Sequence, residues 1–305
     1  MSKHFITIEE QSDADLTSIY RLATSAFDDE TLKGQGVALV FERPSLRTRA
    51  SSATAVHELG GFATFFSDDE IGLDTRECAE DVGRTLAQMY AVAALRVRNH
   101  EVFERVRVAT DEQMSLVNLL SDVAHPTQAV ADVLTIAEHF ANGDSKGLAG
   151  LEVAYVGDAT NVTRSLSVAL LRLGVNMSIG APEEYQLRDV GQENPRTVGT
   201  GTLRLFDSAH DAVKDADVVY TDAWVSMGFE EETAHRRDVL SPFRVDGALM
   251  KLAKKDGVVL HCLPAHRGDE ISNGVLDGEQ SLVWRQVFHR RSAMRGILRW
   301  IKGEM

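Results

Sequence analysis

Residues 41–49, Phe-Glu-Arg-Pro-Ser-Leu-Arg-Thr-Arg, contain hydroxyl and guanidinium side chains at a spacing that suits an anion site. They directly follow the apolar run 37–40, so the pattern predicts a strand, a turn and the start of a helix. Backbone N–H groups and the positive end of the helix dipole favour an anion there. Ser45, Arg47 and Thr48 add side-chain donors. A solvated basic helix start has the same composition and remains the alternative.

Three further segments carry side chains that can bind or activate a small substrate: His-Pro-Thr-Gln at 125–128, Asp-Ala-Trp-Val-Ser-Met-Gly at 222–228 and His-Cys-Leu-Pro-Ala-His-Arg-Gly at 261–268. An imidazole can donate to a carbonyl oxygen that gains negative charge, and a carboxylate can pair with an ammonium group. Cys262 could be a nucleophile, a metal ligand or a positioning residue. The only other cysteine, Cys78, is too far away in the chain to form a metal motif with it.

Composition limits the class of protein. A chain of 305 residues with 44% apolar residues suits two domains rather than one core. The formal charge of −14 argues against nucleic acid or an anionic membrane as a partner, so an anionic substrate must be bound by local positive charge. Two cysteines indicate a reducing compartment. The first ten residues lack the apolar stretch of a secretory signal, and no run reaches the length of a membrane span, so we expect a cytoplasmic protein.

Strand-like runs alternate with helical patterns, which predicts an α/β fold of two domains, each a mainly parallel sheet flanked by helices. In the first half, the predicted strands are 37–41, 62–66, 92–95 and 115–118, and the helices are 10–27, 45–59, 76–90, 99–108 and 128–141. In the second half, the strands are 151–156, 175–179, 202–206, 217–221 and 257–260, and the helices are 161–173, 208–214 and 246–254. Residues 142–147 suit a connection between domains, 222–241 reads as a long irregular stretch, and 280–301 is an amphipathic helix candidate.

Two more positions are singled out by their place after predicted strands. Arg96 and Asn118 each end a strand, at the sheet edge where ligands of open parallel sheets bind. A surface arginine is the alternative for Arg96, and Asn118 is expected to fix the loop that follows it. Gly-Asp-Ala-Thr-Asn at 157–161 also links a strand to a helix, but the G-x-G-x-x-G fingerprint of a dinucleotide site is missing. A nicotinamide dehydrogenase is therefore only a third option.

Taken together, the four segments resemble the signature segments of the carbamoyltransferases, and 261–268 resembles the ornithine branch in particular. The resemblance implies a carbamoyl-phosphate-binding domain over 1–141, an ornithine-binding domain over 148–280, and a C-terminal segment, 281–305, whose helix packs back on the first domain. It also implies homotrimers or multiples of trimers with sites between subunits, and domain closure that brings 222–228 onto the carbamoyl-phosphate face.

The resemblance assigns roles residue by residue. The carbamoyl-phosphate contacts that it implies are Ser45, Leu46, Arg47, Thr48, Arg96, His125, Gln128, Cys262, Leu263 and Arg290. Among them, Arg96, His125, Cys262 and Arg290 are expected to be catalytic. The ornithine contacts that it implies are Asn161, Asp222, Ser226 and Met227. No cofactor and no metal ion are expected.

Three departures from the family pattern leave alternatives open. Leu46 stands where the family usually has threonine, so one hydroxyl donor is absent. Phe288 and His289 replace residues that are commonly Glu and Asn, which leaves open whether Arg290 or Arg291 points inward. The loop at 72–75 has no clear equivalent of the polar residue that the family gives to a neighbouring subunit.

The activity expected from this resemblance is transfer of the carbamoyl group of carbamoyl phosphate to the side-chain amine of L-ornithine, giving L-citrulline and phosphate. A carbamoyltransferase for another amine, such as putrescine, lysine or an acylated ornithine, is the nearest alternative. A catalytically silent paralogue that binds ligand is the alternative from a different class of protein.

Overall fold

A computed structural model describes residues 2–188, 190, 196–225 and 230–304. The chain divides into two compact units, the first formed by residues 1–134 and 288–305 and the second by residues 135–287. Because helices α6 (Pro126–Phe140) and α12 (Val283–Ile301) contribute residues to both units, each unit boundary falls inside a helix. The domain boundaries expected at 141, 148 and 280 stay predictions. No helix among the described residues is long and apolar enough to span a bilayer.

The first unit contains a parallel sheet covered by helices. Its elements are α1 (Asp13–Thr24), β1 (Gly36–Phe41), α2 (Leu46–Glu58), β2 (Phe62–Ser67), α3 (Asp68–Ile71), α4 (Ala79–Ala87), β3 (Val92–Arg96), α5 (Glu101–Ala109) and β4 (Ser115–Leu120). The strand order is β2-β1-β3-β4, and all pairs are parallel. Every residue of β1 and β3 is buried, as expected for strands covered on both faces.

The second unit repeats this architecture with a longer sheet. Its elements are β5 (Glu152–Val156), α7 (Asn161–Arg172), β6 (Asn176–Gly180), β7 (Arg196–Val198), β8 (Gly201–Phe206), α8 (Ala209–Val213), β9 (Val218–Thr221), α9 (Thr233–Leu240), α10 (Gly247–Met250), β10 (Val258–His261) and α11 (Asn273–Leu276). The strand order is β10-β9-β5-β6-β8-β7, and only the short edge strand β7 is antiparallel to its neighbour. The predicted α/β class is therefore confirmed.

The short elements β7 and α11 are not among the predicted ones, and two longer stretches of the second unit also differ from the prediction. Residues 233–240 form α9 inside the stretch that was expected to be irregular. The sequence of α9 shows little apolar periodicity, since the helix is anchored by a buried arginine, Arg236, instead of by an apolar face. The helix expected over 246–254 ends at Met250. Its chain then turns away, since the N–H of Lys254 donates to the carbonyl of Ala216 at 3.0 Å.

The C-terminal part of α12 packs on α1 and α2 within the first unit, as predicted. Arg295 donates to the carbonyl of Ala23 at 2.7 Å, and Arg299 donates to the carbonyl of Leu22 at 2.7 Å. These guanidiniums satisfy carbonyls at the end of α1 that have no partner within that helix. Gly296 permits the close approach, because a Cβ there would lie 2.6 Å from the carbonyl oxygen of Ile19.

Candidate functional site

The strand, turn and helix start predicted over 37–49 are present, and Ser45 is the N-cap of α2. Its hydroxyl accepts from the N–H of Thr48 at 3.4 Å and lies 3.0 Å from the Thr48 hydroxyl. The first turn of α2 contains no acidic residue, so nothing in it opposes a bound anion. The Leu46 side chain is 79% exposed. The arrangement therefore offers an anion the positive end of α2 together with two hydroxyls.

The structure distinguishes the two arginines of α12. Arg290 is buried, and its guanidinium donates to the Thr48 hydroxyl at 3.0 Å and to Oε1 of Gln128 at 2.5 Å. Arg291 instead pairs with Glu58 at 3.3 Å and lies over the ring of Phe288. Arg290 is therefore the one that reaches the start of α2.

Gln128 links Arg290 to a buried carboxylate. Its Nε2 donates to Oδ1 of Asp132 at 2.7 Å, one turn further along α6, and both side chains are almost completely buried. Because this hydrogen bond fixes which end of the amide carries oxygen, Oε1 of Gln128 faces Arg290. Asp132 therefore orients Gln128 rather than balancing surface charge.

Arg96 lies at the C-terminal end of β3 and is only 8% exposed. The pairing of β3 with β4 shifts register there, since Leu95 is opposite Asn118 and Arg96 is opposite Leu120. A bulge of this kind changes the direction of a side chain at the end of a strand. Asn118 donates to the Ser121 hydroxyl at 3.2 Å and to the carbonyl of Ala124 at 3.4 Å, so it fixes the loop that leads to His125, as expected.

His125 is buried, and three arginines act on its ring electrostatically. Burial lowers the pKa of its imidazole well below the usual 6.5, and the positive charges of Arg290, Arg96 and Arg47 lower it further. The imidazole is therefore neutral at physiological pH. Its Nδ1 is 3.4 Å from the Thr127 hydroxyl. A neutral imidazole on which three guanidiniums act electrostatically can donate a hydrogen bond to a small dianion that those charges attract.

Asp74 in the loop at 72–75 is turned toward α5. Its backbone has φ of +58°, and its carboxylate accepts from Arg105 at 2.7 and 2.8 Å. Arg105 also pairs with Glu80 at 2.6 Å and lowers the pKa of that carboxyl to about 2. This ion-pair network anchors the loop to its own unit.

In the second unit, Asp222 and Cys262 directly follow the adjacent strands β9 and β10, which pair in register as Thr221 opposite His261. The Cys262 thiol donates to Oδ1 of Asp222 at 2.6 Å, and the N–H of Ala223 donates to the same oxygen at 2.7 Å. Burial raises the pKa of Asp222, and the hydrogen bonds only partly offset this. The pair can therefore bind a cationic group or exchange a proton with it.

Asn161 is the first residue of α7, after the N-cap Thr160. It follows β5, the strand next to β9, so it belongs to the same sheet edge as Asp222. Gly157, earlier in this connection, has φ of +116°, and a Cβ there would lie 3.2 Å from the indole nitrogen of Trp224. That glycine accommodates Trp224, which explains it without a dinucleotide. Ser226 and Met227 lie outside the described residues.

Sequence reasoning missed a buried ion pair beside this edge. Arg236 of α9 donates to the Asp158 carboxylate at 2.6 Å and to the carbonyl of Trp224 at 3.1 Å, and it also pairs with Glu232. Burial raises the pKa of Asp158 to about 6, and the nearby guanidinium limits the rise. The ion pair connects the residues before Asn161 with those after Asp222, so it positions both.

We expect Asp158→Asn to change how stability depends on pH. A carboxyl whose pKa rises from 3.8 to about 6 on folding contributes stability below pH 3.8 that is lost as pH rises through 6. Relative to wild type, the variant should therefore gain about 2 kcal/mol of unfolding free energy between pH 4.5 and 7. Urea unfolding followed by circular dichroism measures the unfolding free energy at each pH. Asp256→Asn, an exposed control, should show the same dependence of unfolding free energy on pH as wild type. The same dependence for Asp158→Asn would contradict the raised pKa of Asp158.

Only one group of described residues could hold a metal ion: Asp222, His261 and Cys262, whose ligand atoms lie within 4.8 Å of one another. The thiol already donates to Asp222, and both ring nitrogens of His261 have protein partners, Glu270 and the N–H of Leu263. The group is therefore satisfied as a hydrogen-bond network, and its donors do not require an ion.

Comparisons with known proteins also assign one binding site to each half of the chain. The sequence matches "Aspartate/ornithine carbamoyltransferase, carbamoyl-P binding domain" over residues 3–138 and "Aspartate/ornithine carbamoyltransferase, Asp/Orn binding domain" over residues 149–301. It is 37% identical to ornithine carbamoyltransferase of Methanoculleus marisnigri, covering 100% of this chain and 99% of that one.

Solved structures give the same result. The ornithine carbamoyltransferase from Pyrococcus furiosus superposes with a TM-score of 0.90 at 33% identity, covering 100% of this chain and 98% of that one. The enzyme from Thermus thermophilus superposes with a TM-score of 0.84 at 32% identity and 99% coverage of both chains.

Proposed function

We propose that this chain, which belongs to the aspartate/ornithine carbamoyltransferase family, transfers the carbamoyl group of carbamoyl phosphate to the side-chain amine of L-ornithine. The observation that carries the proposal is the buried guanidinium of Arg290 bonded to Thr48 and Gln128 at the start of α2, beside the buried side chains of Arg96 and His125, in a protein with a formal charge of −14. The products are L-citrulline and phosphate, and neither a metal ion nor a cofactor takes part.

The first unit binds carbamoyl phosphate in this proposal. Ser45, Thr48 and Arg47, with the N–H groups at the start of α2, hold the phosphate. Leu46 contributes only its backbone, because its side chain is exposed and has no polar atom. Gln128 binds the carbamoyl amide through Oε1, which keeps a second lone pair beside its bond to Arg290.

Arg96, His125 and Arg290 are proposed to polarise the carbamoyl carbonyl. As the amine attacks, the carbonyl oxygen gains negative charge, and donors already fixed around it need not reorganise. Arg290 is fixed by Thr48 and Gln128, and Arg96 is held by burial and by the bulge at the end of β3. Because His125 is neutral, it donates one N–H without adding a further positive charge to the site.

The chemical step breaks one bond and forms another. The amine nitrogen attacks the carbamoyl carbon, the bond from that carbon to the phosphate oxygen breaks, and the amine loses one proton, which leaves with the phosphate. An alkyl ammonium has a reference pKa of about 10.4, so the site must stabilise the neutral amine. Asp222 and Cys262 are proposed to orient the amine and to accept the proton that the ammonium loses before the attack, whereas the second proton leaves with the phosphate. Cys262 and the carbonyl of Leu263 are proposed to contact the carbamoyl group as well.

The amino-acid end of ornithine is assigned to the second unit. Asn161 offers an amide to the α-carboxylate or α-amino group, and Asp222 offers a carboxylate to an ammonium. Ser226 and Met227 are proposed to complete this site on the strength of the family resemblance. Closure of segment 222–228 over the substrates belongs to the same proposal.

Assembly and location are proposed from the same resemblance and from cysteine usage. We expect a homotrimer or a multiple of trimers, and the exposed apolar side chains Leu46, Phe62 and Met89 of the first unit agree with burial in an assembly. Light scattering would measure its mass.

Cys78 and Cys262 form no disulfide, which agrees with a cytoplasmic protein.

Citrulline formation against a panel of amines tests the proposed reaction. We expect turnover with L-ornithine and carbamoyl phosphate, and at least 100-fold lower kcat/KM with putrescine, L-lysine and N-acetyl-L-ornithine. Putrescine lacks the α-carboxylate, the acetylated α-nitrogen has no charge to pair with a carboxylate, and the extra methylene of lysine displaces its amine from the carbamoyl carbon. Turnover of only a diamine or an acylated substrate would overturn the choice of ornithine. Carbamoyl-phosphate binding by calorimetry without turnover of any amine would indicate a silent paralogue.

A further inference from the structure

His261 is completely buried at the end of β10, one residue before Cys262, and its backbone N–H and both ring nitrogens have partners. Its backbone N–H donates to Oε1 of Gln286 at 3.0 Å. Its Nε2 is 3.0 Å from Oε1 of Glu270, and its Nδ1 is 2.8 Å from the N–H of Leu263. The ring therefore connects the segment after β10 to a carboxylate nine residues away in the chain.

These partners determine which nitrogen carries the proton. A backbone N–H can only donate, so Nδ1 of His261 must be unprotonated to accept from Leu263. The ring proton is then on Nε2, which donates to the Glu270 carboxylate. His261 is a neutral imidazole in a single tautomer, held in place by the carboxylate behind it.

Glu270 is as completely buried as His261. Its Oε1 also accepts from the N–H of His266 at 2.5 Å. The intervening loop is closed by a bond from the N–H of Gly268 to the carbonyl of Ile271 at 2.8 Å. The carboxylate is therefore the fixed centre around which the loop from 261 to 271 turns.

Leu263 shows why such a support is needed. Its φ is +59°, in the left-handed region that non-glycine residues rarely adopt and that costs of order 1–3 kcal/mol. The bond from its N–H to His261 holds the residue there. This conformation determines the direction of the Leu263 carbonyl and of the adjacent Cys262 thiol, which reaches Asp222.

We propose that His261 and Glu270 form a buried positioning pair for the carbamoyl-transfer reaction: Glu270 selects the Nε2–H tautomer of His261, whose Nδ1 holds Leu263 so that its carbonyl and the Cys262 thiol face the substrates. The inference rests on the proposed function. Neither residue contacts a substrate in it, and both act through the segment that they hold.

Two substitutions of His261 separate this role from simple packing. The Oδ1 of asparagine occupies the place of Nδ1 and can accept from Leu263, whereas the Nε2 of glutamine occupies the place of the ring Nε2 and leaves Leu263 without its acceptor. We expect His261→Gln to lower kcat by about 100-fold, since displacement of a reacting group by about 1 Å costs that much, with KM for carbamoyl phosphate nearly unchanged. His261→Asn should lower kcat less than 10-fold.

The matched control is His266→Gln, in the same loop, where the imidazole is exposed and only the backbone N–H contacts Glu270. It should retain wild-type kcat. Circular dichroism and thermal unfolding show that each variant is folded. Equal losses for His261→Asn and His261→Gln in folded protein, or wild-type kcat for His261→Gln, would overturn the proposal.

The tautomer gives a readout that needs neither turnover nor a folded variant. In wild-type protein labelled with ¹⁵N-histidine, the resonances of His261 should show a protonated Nε2 and an unprotonated Nδ1. A protonated Nδ1, or an imidazolium, would contradict the positioning role. If no amine is carbamoylated while the expected tautomer is observed, the proposed function fails but the described structure of the pair stands.

Discussion

Replacement of Arg290 by glutamine is expected to lower kcat about 100- to 1000-fold, the usual effect of removing one fixed donor to a developing oxyanion. The loss should appear in kcat and in kcat/KM for carbamoyl phosphate alike, because the interaction strengthens in the transition state. Steady-state citrulline formation measures both constants. The size of the effect follows from the burial of Arg290 and its two fixed partners, Thr48 and Gln128.

The neighbouring arginine provides the matched control. Arg291→Gln makes the same chemical change one residue further along α12, where the guanidinium pairs with Glu58 and lies over Phe288. Its kcat should stay within about twofold of wild type, because an ion pair of this exposure contributes little. A similar loss of kcat in the two variants would show that Arg290 contributes only to the overall positive charge. It would contradict a catalytic role for Arg290.

Replacement of His125 by glutamine is expected to lower kcat about 100-fold, by the same factor at pH 6 and at pH 8. Burial and three guanidiniums hold its pKa well below 6.5, so the imidazole is neutral at both values and its protonation does not change between them. A histidine that titrated in this range would give a ratio of wild-type to variant rates that depends on pH. Such a dependence would contradict the assignment of His125 as a neutral donor.

The same shift affects stability in a defined direction. The pKa of His125 is lower in the folded protein than in the unfolded chain. The contribution of its neutral imidazole to the unfolding free energy is therefore complete above pH 6.5 and is lost as the pH falls toward the pKa of the folded protein. His125→Gln should therefore lose less stability than wild type on acidification below pH 6.5, as measured by urea unfolding. His57→Gln on α2, an exposed histidine of the same unit, should follow wild type.

The fold could be predicted because its elements have strong local signals. The strands of both sheets are continuous apolar runs, and the helices between them carry apolar periodicity. Helix α9 lacks that signal. Its stability comes from Arg236, whose partner Asp158 is 78 residues away, so no window of sequence contains both.

Part of the candidate site could be predicted because some of its residues lie in short, distinctive segments of sequence. Short segments identified Thr48, His125 and Cys262, but the choice between Arg290 and Arg291 depends on the rotation of one helix. Adjacent residues on a helix point about 100° apart, and only the positions of Glu58 and Gln128 decide which arginine faces which neighbour. The pair of His261 and Glu270 was missed because a buried carboxylate in a loop has no periodic pattern.

The last helix of the chain has a consequence for synthesis. Arg290 reaches Thr48 from 242 positions downstream, and Arg299 reaches the end of α1 from 277 positions downstream. A ribosome therefore releases the N-terminal sheet long before it makes the guanidiniums that finish this unit. Nascent chains that stop short of Arg290 should lack the bonds from its guanidinium to Thr48 and Gln128, so ligand binding that depends on those bonds cannot assist folding of the first unit until α12 has been made.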